Sequence, residues 1–412
     1  MSKKFRNSSV TKSYDKTFNE HKEITMIHTM TIGKDIYPDD NIISYILNKM
    51  NKPPQFQSRY FSTDEAFDHI YRKCTYYPNS LYFGINAIQL IRYGIETIDM
   101  ATDEKNYTVA FQLRFVVNPY RLIHQNEPPS VNLFIPTANN ISILNEQFDR
   151  FIKCFLPALY DEFTFDKMLA KRIDYSFNFK IREPDKRSAF YKVIHKTSMY
   201  NRTKLCKSDT QKRYEQSAAE KNKSRKIIIY DKAAEIANMN YINTNQKRTL
   251  EASAREIIRF EIQFSKQGIK NLVQKYALKS SNVLNFLDKD IAYNELISGY
   301  KNTIGIEDFY DRSNIKSILR KSCTDSMSEK LINITKMIAQ TRSIAVAKEK
   351  YVTGYALKNS SVTLKGTTQT FNNHIKKLRQ LGINPVPLTD GDKVCHVKNP
   401  IHQLEEMYKN LI

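Results

Sequence analysis

The segment RIDYSFNF (172–179) alternates strictly. Ile173, Tyr175, Phe177 and Phe179 are apolar, and Arg172, Asp174, Ser176 and Asn178 between them are polar. IIRFEIQF (257–264) repeats the device, with Phe260, Ile262 and Phe264 on one side and Arg259, Glu261 and Gln263 on the other. A period of two sends successive side chains to opposite faces of a strand, so both segments are strands with one face in the core. Each then presents one carboxylate, Asp174 or Glu261, from the middle of its polar face.

Other strand signals surround these two: ITMIHTMTI (24–32), SLYFGINAIQLIRYG (80–94), YTVAFQLRFVVNPYRLI (107–123), VNLFIP (131–136) and KIIIY (226–230). The stretch ISILNEQFDRFIKCFLPAL (141–159) places Leu144, Phe148, Phe151, Ile152 and Phe155 on one face of a helix. Strands mixed irregularly with helices predict an α+β domain on a largely antiparallel sheet. The expected organisation is a basic arm over 1–22, an α+β domain over 23–266, a helical domain over 267–345 and a DNA-binding unit over 346–412. In that last unit KGTTQTFNNHIKKLRQLGINPV (365–386) reads as a Thr-capped helix closed by Gly382, in the manner of a helix-turn-helix or winged helix. Its exposed face is expected to carry Lys376, Lys377 and Arg379.

A net charge of +21 points to a polyanionic partner. No apolar run approaches the ~18 residues of a membrane span and no signal peptide is apparent, so nucleic acid in the cytoplasm is the expected setting. Cys74, Cys154, Cys206, Cys323 and Cys395 form no CxxC pair, which argues against a disulfide framework or structural zinc.

Asp174 and Glu261, on neighbouring strands, have the chemistry to hold Mg²⁺ or Mn²⁺, with Glu235 as a weaker third ligand. The alternative is a pair of structural ion pairs across the strands, Asp174 with Arg259 and Glu261 with Arg172. No His-x-His pair occurs, so a two-histidine site is not expected. Between Lys196 and Lys226 ten Lys or Arg face three acids, and Lys221, Lys223, Arg225 and Lys232 are candidate phosphate contacts.

Together RIDYSFNF, SRKIIIYDKAAE, IIRFEIQF, VVNPYRLI and NNHIKKLRQLGI resemble rolling-circle replication initiators, in the plasmid and phage group where acidic residues take over metal binding. The resemblance spans roughly residues 80 to 390. It implies an HUH-like nuclease that nicks one strand at an origin, joins a tyrosine to the 5′ phosphate and leaves a 3′ hydroxyl. It also implies a bacterial cytoplasmic setting with origin DNA as partner, both double- and single-stranded, and possible contacts with a host helicase and a second copy of the chain. Aligned on KNKS (221–224), the family's tyrosine falls on Ala219. Three explanations stand: a replaced nucleophile, a nucleophile supplied by Tyr214 or Tyr200, or a chain that binds DNA without cutting. A plasmid-transfer relaxase is the related alternative.

Overall fold

The computed structural model describes residues 26–410, except 37–38, 52–71, 79–83, 99–104, 126, 128–129, 198–216, 239–243, 342, 390 and 392. The basic arm, Tyr200 and Tyr214 lie outside the described residues.

Eight strands form one sheet: β1 (Ile27–Ile36), β2 (Arg72–Tyr76), β3 (Ile85–Ile98), β4 (Lys105–Val117), β5 (Leu169–Lys180), β6 (Ser217–Lys221), β7 (Arg225–Asp231) and β8 (Ile257–Phe264). Their order is β2-β3-β4-β1-β5-β8-β7-β6, and every neighbouring pair is antiparallel. The two segments with strict alternation, β5 and β8, are adjacent near the centre of the sheet. The chain is thus α+β with an antiparallel sheet, as the sequence predicts.

The apolar face of this region packs on the helix Lys289–Thr303. Tyr300 from that helix lies 5.9 Å from the Phe177 ring and 5.1 Å from the Phe260 ring. Gly299 permits the close approach, because a Cβ there would stand 2.3 Å from the Ile262 Cδ1. On the other half of the sheet the helix Ala138–Phe155, capped by Thr137, buries Leu144, Phe148 and Ile152, with Phe148 edge-on to Phe115 and Phe165.

Several elements differ from the sequence expectation. YTVAFQLRFVVNPYRLI ends as a strand at Val117, where Asn118 caps a short helix, Pro119–Ile123, and the proline sits where its missing N–H costs nothing. VNLFIP forms no strand, only an isolated bridge from Phe134 to Ile27. Arg72–Tyr76, which carries no clean alternation, is an added edge strand, and the helix Thr244–Ala254 lies where no apolar periodicity marked one.

Helices Asp325–Gln340 and Ile344–Thr353, a hairpin pairing Tyr355–Ala356 with Thr363–Leu364, and the helix Thr368–Gln380 follow in order. Thr367 caps the last of these, and Gly382 adopts φ +71° just beyond it. The terminal helix Ile401–Lys409 returns to the sheet, where Gln403 accepts from the Lys180 N–H at 3.0 Å and donates to its carbonyl at 2.9 Å. One apolar cluster therefore runs from Met26 to Met407. Among the described residues, no helix is long and apolar enough to cross a membrane.

Candidate metal centre

Asp174 and Glu261 come together on the polar face. In the β5–β8 register Ser176 opposes Glu261 and Asp174 opposes Gln263, so the two acids are diagonal neighbours. Both are buried, Asp174 completely and Glu261 to 3% exposure.

A third potential ligand comes from β1. There the register slips: Ile27 pairs with Tyr175 and Thr29 with Asp174, leaving His28 as an extra residue. Such a bulge breaks the alternation and re-aims a side chain. His28 thereby joins the face that carries Thr29 instead of the core face that carries Met30. One ligand atom each from His28, Asp174 and Glu261 lies within 4.8 Å of the others.

Each carboxylate is held by donors. Arg172 Nε donates to Asp174 Oδ1 at 2.7 Å, and Arg172 Nη2 and the Thr29 hydroxyl both bond Oδ2. Glu261 Oε2 accepts from His28 Nδ1 at 3.1 Å and from the Tyr230 hydroxyl at 3.2 Å, while Gln263 Nε2 donates to Oε1 at 2.6 Å. The cross-strand ion pairs considered from sequence do not form. Arg172 pairs within its own strand, and Arg259, 1% exposed, donates instead to Asn178 Oδ1 at 2.8 Å and the Val131 carbonyl at 2.6 Å. Val131 in turn packs with Ile236, Leu250, Ala254 and Ile257 in a small second apolar cluster.

Burial, reinforced by the Glu261 charge, raises the Asp174 carboxyl to about 6 against the pull of Arg172 and Thr29. Burial also opposes ionisation of Glu261, but His28, Gln263 and Arg259 outweigh it and hold that carboxyl below the usual range. Burial and the Arg259 charge lower His28, against the opposing pull of the Glu261 carboxylate. Tyr230 is raised well above its ordinary value by burial and by Glu261, and stays a donor.

Two carboxylates and one imidazole suit a divalent cation such as Mn²⁺, the imidazole tilting the set away from Mg²⁺. The Ser176 hydroxyl, buried on the rung of Glu261 and without a partner, adds an unsatisfied polar atom beside the cluster. The residues present therefore fit a cation.

The other expected residues fall at varied distances from this centre. Glu235 lies outside the three-residue cluster, on the short helix Lys232–Ala237, where it pairs with Lys232. Lys232 is 6% exposed, and burial followed by the Arg259 charge lowers its ammonium to about 8. Lys223 is exposed and Arg225 partly so, at the turn between β6 and β7 that Asn222 closes by accepting from the Ser224 and Arg225 N–H groups. Lys221 opposes Lys226, and Ala219 opposes Ile228, which in turn opposes Glu261. Lys376 is exposed and Lys377 partly so on the helix Thr368–Gln380, while Arg379 Nε stands 3.9 Å from Glu307 Oε2.

Residues 132–285 match a phage family described as the N-terminal region of a replication-associated protein. This is a family of rolling-circle replication initiators, and the match points to a replication-initiator role. The matched segment includes Asp174, Ala219, Glu235 and Glu261, whereas His28 lies outside it. No curated protein and no solved structure matches the chain.

Sequence reasoning missed His28 because strict alternation through ITMIHTMTI assigns it to the core side. The polar neighbour Thr29 was the single local hint.

Proposed function

We propose that this chain is an origin-binding replication initiator whose His28–Asp174–Glu261 cluster serves strand nicking in an HUH-like domain, with Ala219 standing where the nucleophilic tyrosine would be. The observation that carries this reading is the register of β6, β7 and β8, which sets 219, 228 and 261 on one rung. Neighbouring strands are ~4.8 Å apart, so the backbones of 219 and 261 are separated by about 10 Å. Positions on one rung share a face. A tyrosine installed at 219 therefore stands on the rung of Glu261, two strands away.

A bound divalent cation supplies polarisation of the phosphate and neutralises charge as it develops. The chain's own groups do the rest. Asp174, Glu261 and His28 hold the cation, and Tyr230 and Gln263 fix the orientation of the Glu261 carboxylate. Lys223 and Arg225 bring the strand to the mouth of β7. The phenol oxygen forms a bond to phosphorus, the bond to the 3′ oxygen breaks, and the proton lost by the phenol is balanced by the one gained by the 3′ hydroxyl.

The test is to incubate the chain and its Ala219→Tyr variant with single-stranded origin DNA and Mn²⁺. Mass spectrometry of the Ala219→Tyr protein should locate a 5′-phosphotyrosine at 219, and the parent chain should bind DNA without forming any adduct. An adduct formed by the parent chain at Tyr200 or Tyr214 contradicts the assignment. Absence of an adduct in both, with origin binding intact, favours a binding protein without nuclease activity.

A further inference from the structure

The Arg172 guanidinium grips both carboxylate oxygens of Asp174. Its Nε takes Oδ1 at 2.7 Å and its Nη2 takes Oδ2, whose second lone pair is filled by Thr29. A carboxylate oxygen offers two lone pairs, so most of the acceptor capacity of Asp174 is engaged by these two residues. Glu261 adds to the hold, because its charge also favours the Arg172 cation. The side chain nevertheless has an outlet. Arg172 is 41% exposed whereas Asp174 is sealed at 0%, so the guanidinium can turn to solvent without unpacking the core.

We propose that Arg172 is an internal stand-in for the metal: a divalent cation displaces it from Asp174, and the released guanidinium turns outward to take a phosphate of the DNA strand. The inference rests on the metal-centre reading above. Without the cation, Arg172 offsets the repulsion between two buried carboxylates. With it, that compensation is redundant, and a planar fork suited to bidentate phosphate recognition becomes available on the same face. Metal loading would thereby prepare the site for its substrate.

The test measures Mn²⁺ binding by the full chain through the electron paramagnetic resonance signal of free Mn²⁺, for the parent, Arg172→Ala and Arg172→Lys. Removing a competing charge-assisted pair should tighten Mn²⁺ binding by about tenfold or more in Arg172→Ala. Arg172→Lys keeps the charge but loses the fork, and should fall between. Single-stranded DNA binding should become more salt-dependent on adding Mn²⁺ to the parent, by about 0.7 in the log–log slope for one additional phosphate neutralised, and not in Arg172→Ala. If the parent binds Mn²⁺ and Arg172→Ala binds it equally or more weakly, the displacement is wrong while the metal centre stands. If neither the parent nor the variants bind Mn²⁺, the metal centre itself is wrong. Equal affinity of the parent and Arg172→Lys, with Arg172→Ala tighter, shows a through-space charge effect and also overturns displacement.

Discussion

Asp174 and Glu261 stand on adjacent antiparallel strands two residues out of register, and their carboxylate oxygens approach within 4.8 Å of each other and of a His28 nitrogen. Two buried acids this close are costly unless charge is brought to them. Arg172, Arg259 and Lys232 all contribute to that compensation.

Arg259 ties the polar face to the segment that covers it. Arg259→Met keeps much of the volume but removes the donor to Asn178 Oδ1 and one of the two donors to the Val131 carbonyl, which keeps the Asn178 Nδ2 at 3.3 Å. The expected loss is about 2–4 kcal/mol in urea unfolding. A loss below about 1 kcal/mol would mean that water replaces the guanidinium at little cost.

Lys232 gives a pH dependence with a definite sign. Its folded-state value of about 8 lies below the ordinary 10.5, so the native state holds this proton less tightly than the unfolded chain. The penalty is present in full below about pH 8, amounts to roughly 3 kcal/mol, and is relieved as pH rises toward 10.5. Lys232→Met removes the penalty together with the pairing to Glu235. Its stability relative to the parent should therefore fall between pH 7.5 and pH 10, measured by denaturant titration at both values. A pH-independent difference would contradict the assignment.

How much of this was legible in the sequence depended on how local each determinant was. β5 and β8 were readable because alternation is a property of consecutive residues, and it placed Asp174 and Glu261 on polar faces. Their adjacency is a matter of pairing, which the sequence expressed only as an expectation. His28 was illegible because a bulge depends on the partner strand: the slip is between Ile27 and Thr29 against Tyr175 and Asp174. The strand character of Ser217–Lys221 was hidden for a similar reason, since its alanines and charges acquire a ladder only from β7.

Gly268 is a position where space decides. A Cβ there would meet the Ser224 carbonyl oxygen at 2.2 Å, and that oxygen belongs to the turn leading into β7. Gly268→Ala should cost about 1–3 kcal/mol through backbone displacement. It should also shift the amide resonances of residues 223–226, and unshifted resonances would show that the helix Lys266–Lys275 moves instead.

On the helix Thr368–Gln380, Lys376 is exposed and Lys377 partly so. Replacing both by alanine should weaken binding to double-stranded origin DNA and reduce the salt slope by about 0.9 for each phosphate no longer neutralised. An unchanged slope would assign the helix a structural role.

The central claim is that His28, Asp174 and Glu261 share one divalent cation. Anomalous diffraction from crystals soaked in Mn²⁺ tests it most directly. A peak within ~2.0–2.6 Å of one ligand atom from each residue is expected, and it should vanish in Glu261→Gln crystals. A peak elsewhere on the chain, or density showing Arg172 still seated on Asp174 with no peak among the three residues, would contradict it.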